Sequence, residues 1–199
     1  MFRLIESIRL EDGECFNLHY HQQRMDESVL LLTGMQNRIR LTSFLQKQNL
    51  PVTGKFKCRI VYSETGVIEM GFTPYETRTI NSLKIIHDNA IDYSFKFTDR
   101  AALNNLFAQR NDCDDILIVK NGLVTDASYS NVVFYDGLRW LTPAQPLLKG
   151  TMRQCLLDNG VIVEDAIRAE QIPLFKKVRL INALLGFEGL ELSVSQIVF

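Results

Sequence analysis

The sequence predicts an α+β protein built as two lobes, and three observations predict it. A hairpin pattern, two helical patterns and a second hairpin follow one another up to Phe72, the order of a small antiparallel α/β lobe. Beyond Tyr93 the chain turns to short apolar strands joined at Asn121-Gly122 and Asp136-Gly137, both strong hairpin dipeptides. The 199 residues suffice for one large core or two small ones. We place the small lobe at 1–88, a link at 89–95 and the larger lobe at 96–199.

Leu4 to Leu10 alternates loosely and is rich in Ile and Leu, which predicts a strand. Asp12-Gly13 turns it back through Cys15-Phe16-Asn17-Leu18. From Tyr20 to Leu32 the apolar residues Met25, Val29 and Leu32 recur at helical spacing, with Arg24 on the same stretch and Gly34 as its stop. A second helix is expected from Asn37 to Gln48, ended by Pro51. Phe56 to Tyr62 and Val67 to Phe72 read as a hairpin around Glu64-Thr65-Gly66, and Leu83 to His87 as a further strand. Asp99 is a candidate cap for a helix from Arg100 to about Gln109. Ile116 to Lys120 is an apolar strand whose partner returns through Asn121-Gly122 and ends in Asp126. Trp140 to Pro143 leads into an irregular loop, Ala144 to Lys149, and Gly150-Thr151 opens a helix that closes near Asn159-Gly160. Val161 to Val163 is a short strand, Arg168 to Phe175 a short helix or turn, Val178 to Leu185 a buried strand, and Glu191 to Phe199 a last strand.

The net charge of −1, with Lys and Arg scattered, gives no electrostatic footprint for nucleic acid, so no nucleic-acid partner is expected. The first residues carry charges and no continuous apolar stretch, which argues against a secretory signal. Val29 to Leu32 is far too short to span a bilayer, and no membrane association is expected. Four cysteines without a CxxC pair read as reduced thiols, and the expected location is the cytoplasm. His19 and His21 form an HxH pair, but two ligands leave a zinc sphere incomplete, so no metal is expected.

Four features carry chemistry. Lys96 stands among Tyr93, Phe95 and Phe97, an apolar wall of the kind that lowers a lysine's proton affinity and frees its amine to form a Schiff base. Read alone, an exposed edge-strand lysine is the simpler account. Asp126, at a strand end, suits the carboxylate that pyridoxal phosphate chemistry needs beside its pyridine nitrogen. Read alone, a strand-end aspartate making a local turn is the simpler account. Gly150-Thr151 after an irregular loop would present the unpaired amides of a helix's first turn to a phosphate. Arg24 would add a planar, permanently charged fork to the same anion.

The order and spacing of these features resemble a known family. Glu6-Ser7-Ile8-Arg9 with Asp12-Gly13, His21-Gln22-Gln23-Arg24-Met25 and Lys96 come first; Val124-Thr125-Asp126 with Ser130-Asn131-Val132 follows. Thr142-Pro143 and Leu148-Lys149-Gly150-Thr151-Met152-Arg153 complete the set. From about Ile5 to about Leu185 the chain resembles the class IV aminotransferases, the fold-type IV pyridoxal-phosphate enzymes. The resemblance implies a small antiparallel lobe and a larger mixed-sheet, pseudo-barrel lobe, N-terminally shortened, with the cofactor between them. It implies pyridoxal 5'-phosphate on Lys96, with Arg24, Asp126, Ser130, Asn131, Gly150, Thr151 and Asn182 as cofactor-binding residues. Arg9 and Arg100 are implied as substrate-binding, and a homodimer acting on a small-molecule amine as the assembly.

Within the family, Lys96-Phe97-Thr98-Asp99-Arg100 and Ile181-Asn182-Ala183-Leu184 are similar to segments of the aminodeoxychorismate lyases. That similarity implies conversion of 4-amino-4-deoxychorismate to 4-aminobenzoate and pyruvate, with Lys96 taking the proton from the amine-bearing carbon. A class IV aminotransferase acting on a branched-chain or other amino acid is the alternative, and a non-catalytic partner subunit the second. Three positions depart from the family pattern. The chain starts near the first motif, without the family's opening strand and loop; Asp126 stands where a glutamate is usual; and Ala183 replaces a frequent threonine.

Overall fold

The computed structural model describes residues 2–199, and the chain divides into two compact units. One runs to Glu76 and takes in Phe95–Asp99; the other comprises Thr77–Ser94 and Arg100–Phe199.

The smaller unit is an antiparallel sheet with one long helix. β1 (Leu4–Glu11) alternates strictly, with Leu4, Ile8 and Leu10 buried, and Glu6 buried on the same face. Period-two alternation puts every second side chain into the core, so a charged residue at Glu6 is the anomaly. The Asp12-Gly13 turn places both residues at positive φ, as a two-residue hairpin requires, but β2 (Glu14–Cys15) is only two residues long. The expected return through Leu18 stops early because Asn17 takes a left-handed conformation and α1 (Leu18–Thr33) begins at once. Gly34 ends that helix as expected, its amide donating to the Leu30 carbonyl. α2 (Leu41–Leu45) is far shorter than the 37–48 expectation. Asn37 explains the loss: its side chain bonds Asp26 and the Ile39 amide, so the backbone before Leu41 stays out of the helix. β3 (Lys55–Ser63) and β4 (Gly66–Pro74) complete the sheet in the order β2-β1-β3-β4. Leu4, Ile8, Leu10, Met25, Val29 and Ile60 form its core.

The larger unit is built on a nine-stranded mixed sheet. β5 (Leu83–His87) pairs in parallel with β6 (Asp115–Lys120), and α3 (Ala101–Phe107) with a following 3-10 turn lies between them in sequence. Arg100, rather than Asp99, holds the N-cap position of α3. β6 returns as β7 (Leu123–Ala127) through Asn121-Gly122, where both residues have positive φ and glycine's missing Cβ is needed. β8 (Asn131–Tyr135) and β9 (Trp140–Pro143) form the next hairpin, and α4 (Thr151–Asp158) precedes β10 (Ile162–Asp165), which pairs in parallel with β9. A 3-10 turn at Ala169–Leu174 leads to β11 (Lys177–Asn182) and β12 (Gly186–Ser193). The single last strand expected over 191–199 is instead the end of β12, a 3-10 turn capped by Ser193, and β13 (Ile197–Val198) on the edge of β5. Buried Leu117, Val119, Val132, Phe134, Val178 and Leu180 form the core on one side; Val133, Leu156, Ile162 and Ile181 cluster on the other.

The expected lobe boundaries shift accordingly. β5 belongs to the larger unit because its ladder partner is β6. Lys96 belongs to the smaller unit, not to the larger one. The Ile5 amide donates to the Lys96 carbonyl at 2.9 Å, the Thr98 amide donates to Arg3, and Phe97 bridges Leu4. Phe95 and Phe97 pack on the smaller core. No described helix is long and apolar enough to cross a membrane.

Candidate active site

The smaller unit carries Lys96, Arg24 and Arg9. Lys96 is half-buried on its docked segment, beside the Phe95–Phe97 ring pair, which meets edge to face at 5.9 Å. Its charge lies close enough to His21 to lower that imidazole's proton affinity further. Arg24 projects from α1, mostly buried, and donates from Nε to Glu6 Oε1 at 3.0 Å and from Nη2 to Glu6 Oε2. His21, one helical turn earlier, is fully buried with Nδ1 2.6 Å from Glu6 Oε2. Burial alone would raise the Glu6 carboxyl, but Arg24 and His21 together hold it down at about 2. Burial pushes His21 downward despite Glu6, so the ring is the neutral partner.

His19 is exposed, two positions from His21 on a helix, so the HxH pair does not converge. Among the described residues no group of three His, Cys, Asp or Glu could hold a metal ion. Arg9, on the opposite face of β1 from Glu6, pairs with Glu11 and stacks 4.5 Å from the Phe16 ring centre.

The larger unit carries the remaining predicted residues, and there they converge. Asp126 is buried at the end of β7, with Oδ1 accepting from Asn131 Nδ2 at 2.7 Å and Oδ2 from the Leu148 amide at 2.9 Å. Burial pushes its carboxyl up to about 6, against those hydrogen bonds and the Arg153 charge. Asn131 also donates to the Leu148 carbonyl at 2.8 Å, tying β8 to the loop before α4. A Cβ at Gly150 would fall 1.9 Å from Asn131 Oδ1, so only glycine fits that approach. Gly150 is the N-cap of α4 and brings no side chain to the first-turn amides; Thr151 follows, buried. Arg153 turns to the Pro143 carbonyl and Glu164, at 2.8 and 2.6 Å.

Arg100 and Asn182 meet on one segment. Arg100 donates to the Ser128 carbonyl at 2.6 Å, and its guanidinium lies 4.0 Å from the Tyr129 ring centre. Asn182 donates to Ser130 Oγ at 3.1 Å and accepts from the Leu184 and Leu185 amides. Both therefore brace the three residues that follow β7, the strand bearing Asp126.

In the sequence Glu6 stands only as a motif letter, and His21 as a motif letter and a metal candidate. The signal that finds both is parity: Glu6 stands on the buried register of β1, and His21 and Arg24 lie three apart on one face of α1.

Residues 3–189 match the family "Amino-transferase class IV", and the chain belongs to it. It is thus a pyridoxal-phosphate-dependent enzyme of the aminotransferase/lyase type. A Haemophilus influenzae protein called "Uncharacterized protein" is 36% identical over 190 residues, 94% of this chain and 100% of that one. A Schizosaccharomyces pombe protein named "Putative aminodeoxychorismate lyase" is 31% identical over 170 residues, 78% of this chain and 74% of that one. Among solved structures, a "putative 4-amino-4-deoxychorismate lyase" from Haemophilus somnus superposes with a TM-score of 0.87 at 36% identity, covering 94% of this chain and 98% of that one.

Proposed function

We propose that the protein is a pyridoxal-phosphate-dependent lyase that converts 4-amino-4-deoxychorismate to 4-aminobenzoate and pyruvate. The observation that carries the lyase reading is the convergence of Arg100 and Asn182, from the two lyase-like segments, on Ser128–Ser130 directly after Asp126. The similarity to proteins bearing that name points the same way.

The residues present fit the cofactor. Asp126 is a rigidly held carboxylate whose proton affinity is raised by burial, against its hydrogen bonds and the Arg153 charge. A protonated pyridine nitrogen beside it would offset that burial and favour the charged form. Gly150 and Thr151, at the start of an eight-residue helix with no side-chain cap, suit a phosphate, and Arg24 adds a cationic fork. Lys96 is the attachment amine. Bound there, pyridoxal phosphate supplies an electron sink for the carbon that bears the substrate's amino group.

Lys96, its amine freed when the substrate's amino group takes its place, would take the proton from that carbon; the bond to the enolpyruvyl oxygen would break and the ring become aromatic. The departing enol regains a proton as pyruvate, so no oxidant or water is consumed. Asp126 would stay charged beside the ring nitrogen, and Asn131 holds its Oδ1 through a 2.7 Å hydrogen bond. Arg9 and Arg100 are the proposed partners of the substrate's carboxylates. The active assembly is a cytoplasmic homodimer, which sedimentation at twice the chain mass would support and a monomer would contradict.

The test is incubation of the cofactor-loaded protein with 4-amino-4-deoxychorismate, beside Lys96→Ala. Equal release of 4-aminobenzoate and pyruvate, absent from the variant, is expected. Conversion of amino acids to keto acids without 4-aminobenzoate would instead establish a transaminase.

A further inference from the structure

Glu6 and His21, buried against Arg24, are two ionisable groups to which the reaction above gives no role. Glu6 sits on the core face of β1 between Leu4 and Ile8, where an apolar residue would ordinarily stand. A buried charge holds its place only when its pairing offsets desolvation. Here the pairing involves both oxygens. Oε1 accepts from Arg24 Nε at 3.0 Å, and Oε2 accepts from Arg24 Nη2 and from His21 Nδ1 at 2.6 Å. Tyr62, buried on β3, lies against the same group with its hydroxyl bonded to Ser28.

A carboxylate that grips a guanidinium through Nε and one Nη fixes both its plane and the edge turned away. Arg24 is accordingly held as a rigid fork, with only 12% of its side chain exposed. We propose that Glu6 is a positioning residue for Arg24, presetting its guanidinium for the cofactor's phosphate, with His21 fixing Glu6 from the other side. The inference rests on the cofactor reading above. It assigns Glu6 no contact with substrate or cofactor.

The test compares phosphate-bearing and phosphate-free ligands. Wild-type, Glu6→Gln and Glu6→Asp proteins, freed of cofactor, are titrated with pyridoxal phosphate and with pyridoxal, following the absorbance of the bound form. Glu6→Gln is expected to weaken pyridoxal phosphate binding about tenfold or more, as loss of an orienting outer partner does elsewhere. Pyridoxal binding should be nearly unchanged. Glu6→Asp keeps the buried charge but shortens its reach, so it should show the same selective loss to a smaller degree, even if Glu6→Gln fails to fold. Equal weakening of both ligands would mark Glu6 as merely structural and overturn the proposal, as would unchanged pyridoxal phosphate binding. Wild-type protein that takes up no pyridoxal phosphate would end the cofactor reading itself, and this inference with it.

Discussion

Asp126 and Glu6 are buried carboxylates displaced in opposite directions, and their effects on stability have opposite sign. Asp126 is raised from 3.8 to about 6, so between those values the folded chain holds a proton that the unfolded chain releases. Its contribution is fully present below 3.8 and is lost as pH rises through about 6, a change of about 3 kcal/mol. We expect cofactor-free wild type to lose more stability from pH 4 to pH 7 than Asp126→Asn does, measured by denaturant unfolding at both pH values. Equal losses would show that Asp126 titrates normally. Glu6 is lowered from 4.5 to about 2, so its contribution is fully present above 4.5 and is lost as pH falls through about 2. That loss is also about 3 kcal/mol, and Glu6→Gln should flatten the acid limb of an unfolding curve followed by circular dichroism. An acid limb as steep in the variant as in wild type would contradict the pairing seen with Arg24 and His21.

At the scale of elements, the β7–β8 connection and the start of α4 form one interlocked piece. Asn131 bonds Asp126 and the Leu148 carbonyl, and its side chain fills the space a Cβ at Gly150 would need. Gly150→Ala is therefore expected to destabilise the protein by about 1–3 kcal/mol through overpacking. Adding Asn131→Ala should recover part of that loss, because the clash is with that side chain. Thermal melts of the two single variants and the double would show it; strictly additive losses would not. The hairpins at Asp12-Gly13 and Asn121-Gly122 were legible in the sequence because their turns demand particular residues. The length of α2 was not, since Asn37 competes for the backbone through bonds to Asp26 on another helix.

At the scale of the molecule, sheet pairing decides which unit each segment joins. β13 lies beside β5, more than a hundred residues earlier in the chain, and Ile197 is buried there against Leu83. Ile197→Ala should cost about 2–4 kcal/mol, read from chemical denaturation. A change near zero would mean that this last strand contributes no packing. The same logic moved Lys96. Its aromatic neighbours marked it as unusual in the sequence, but the bond from the Ile5 amide and the Phe97 bridge to Leu4 place it in the smaller unit.

The sequence by itself determined the family, the α+β class and most strands, and it put forward Lys96, Arg24, Asp126 and Gly150-Thr151 together as candidate site residues. Those are matters of local pattern and motif spacing, which a linear chain displays. Only the tertiary structure decided that His21 and Arg24 both pair with Glu6, that Asn131 locks Asp126, and that Arg100 and Asn182 share one segment. Such contacts join residues far apart in the chain, and which side chains meet is set by sheet register and helix face. A buried Glu6 shows the difference most plainly: in sequence it is one acid among many, and in the fold it is the charge on which Arg24 is held.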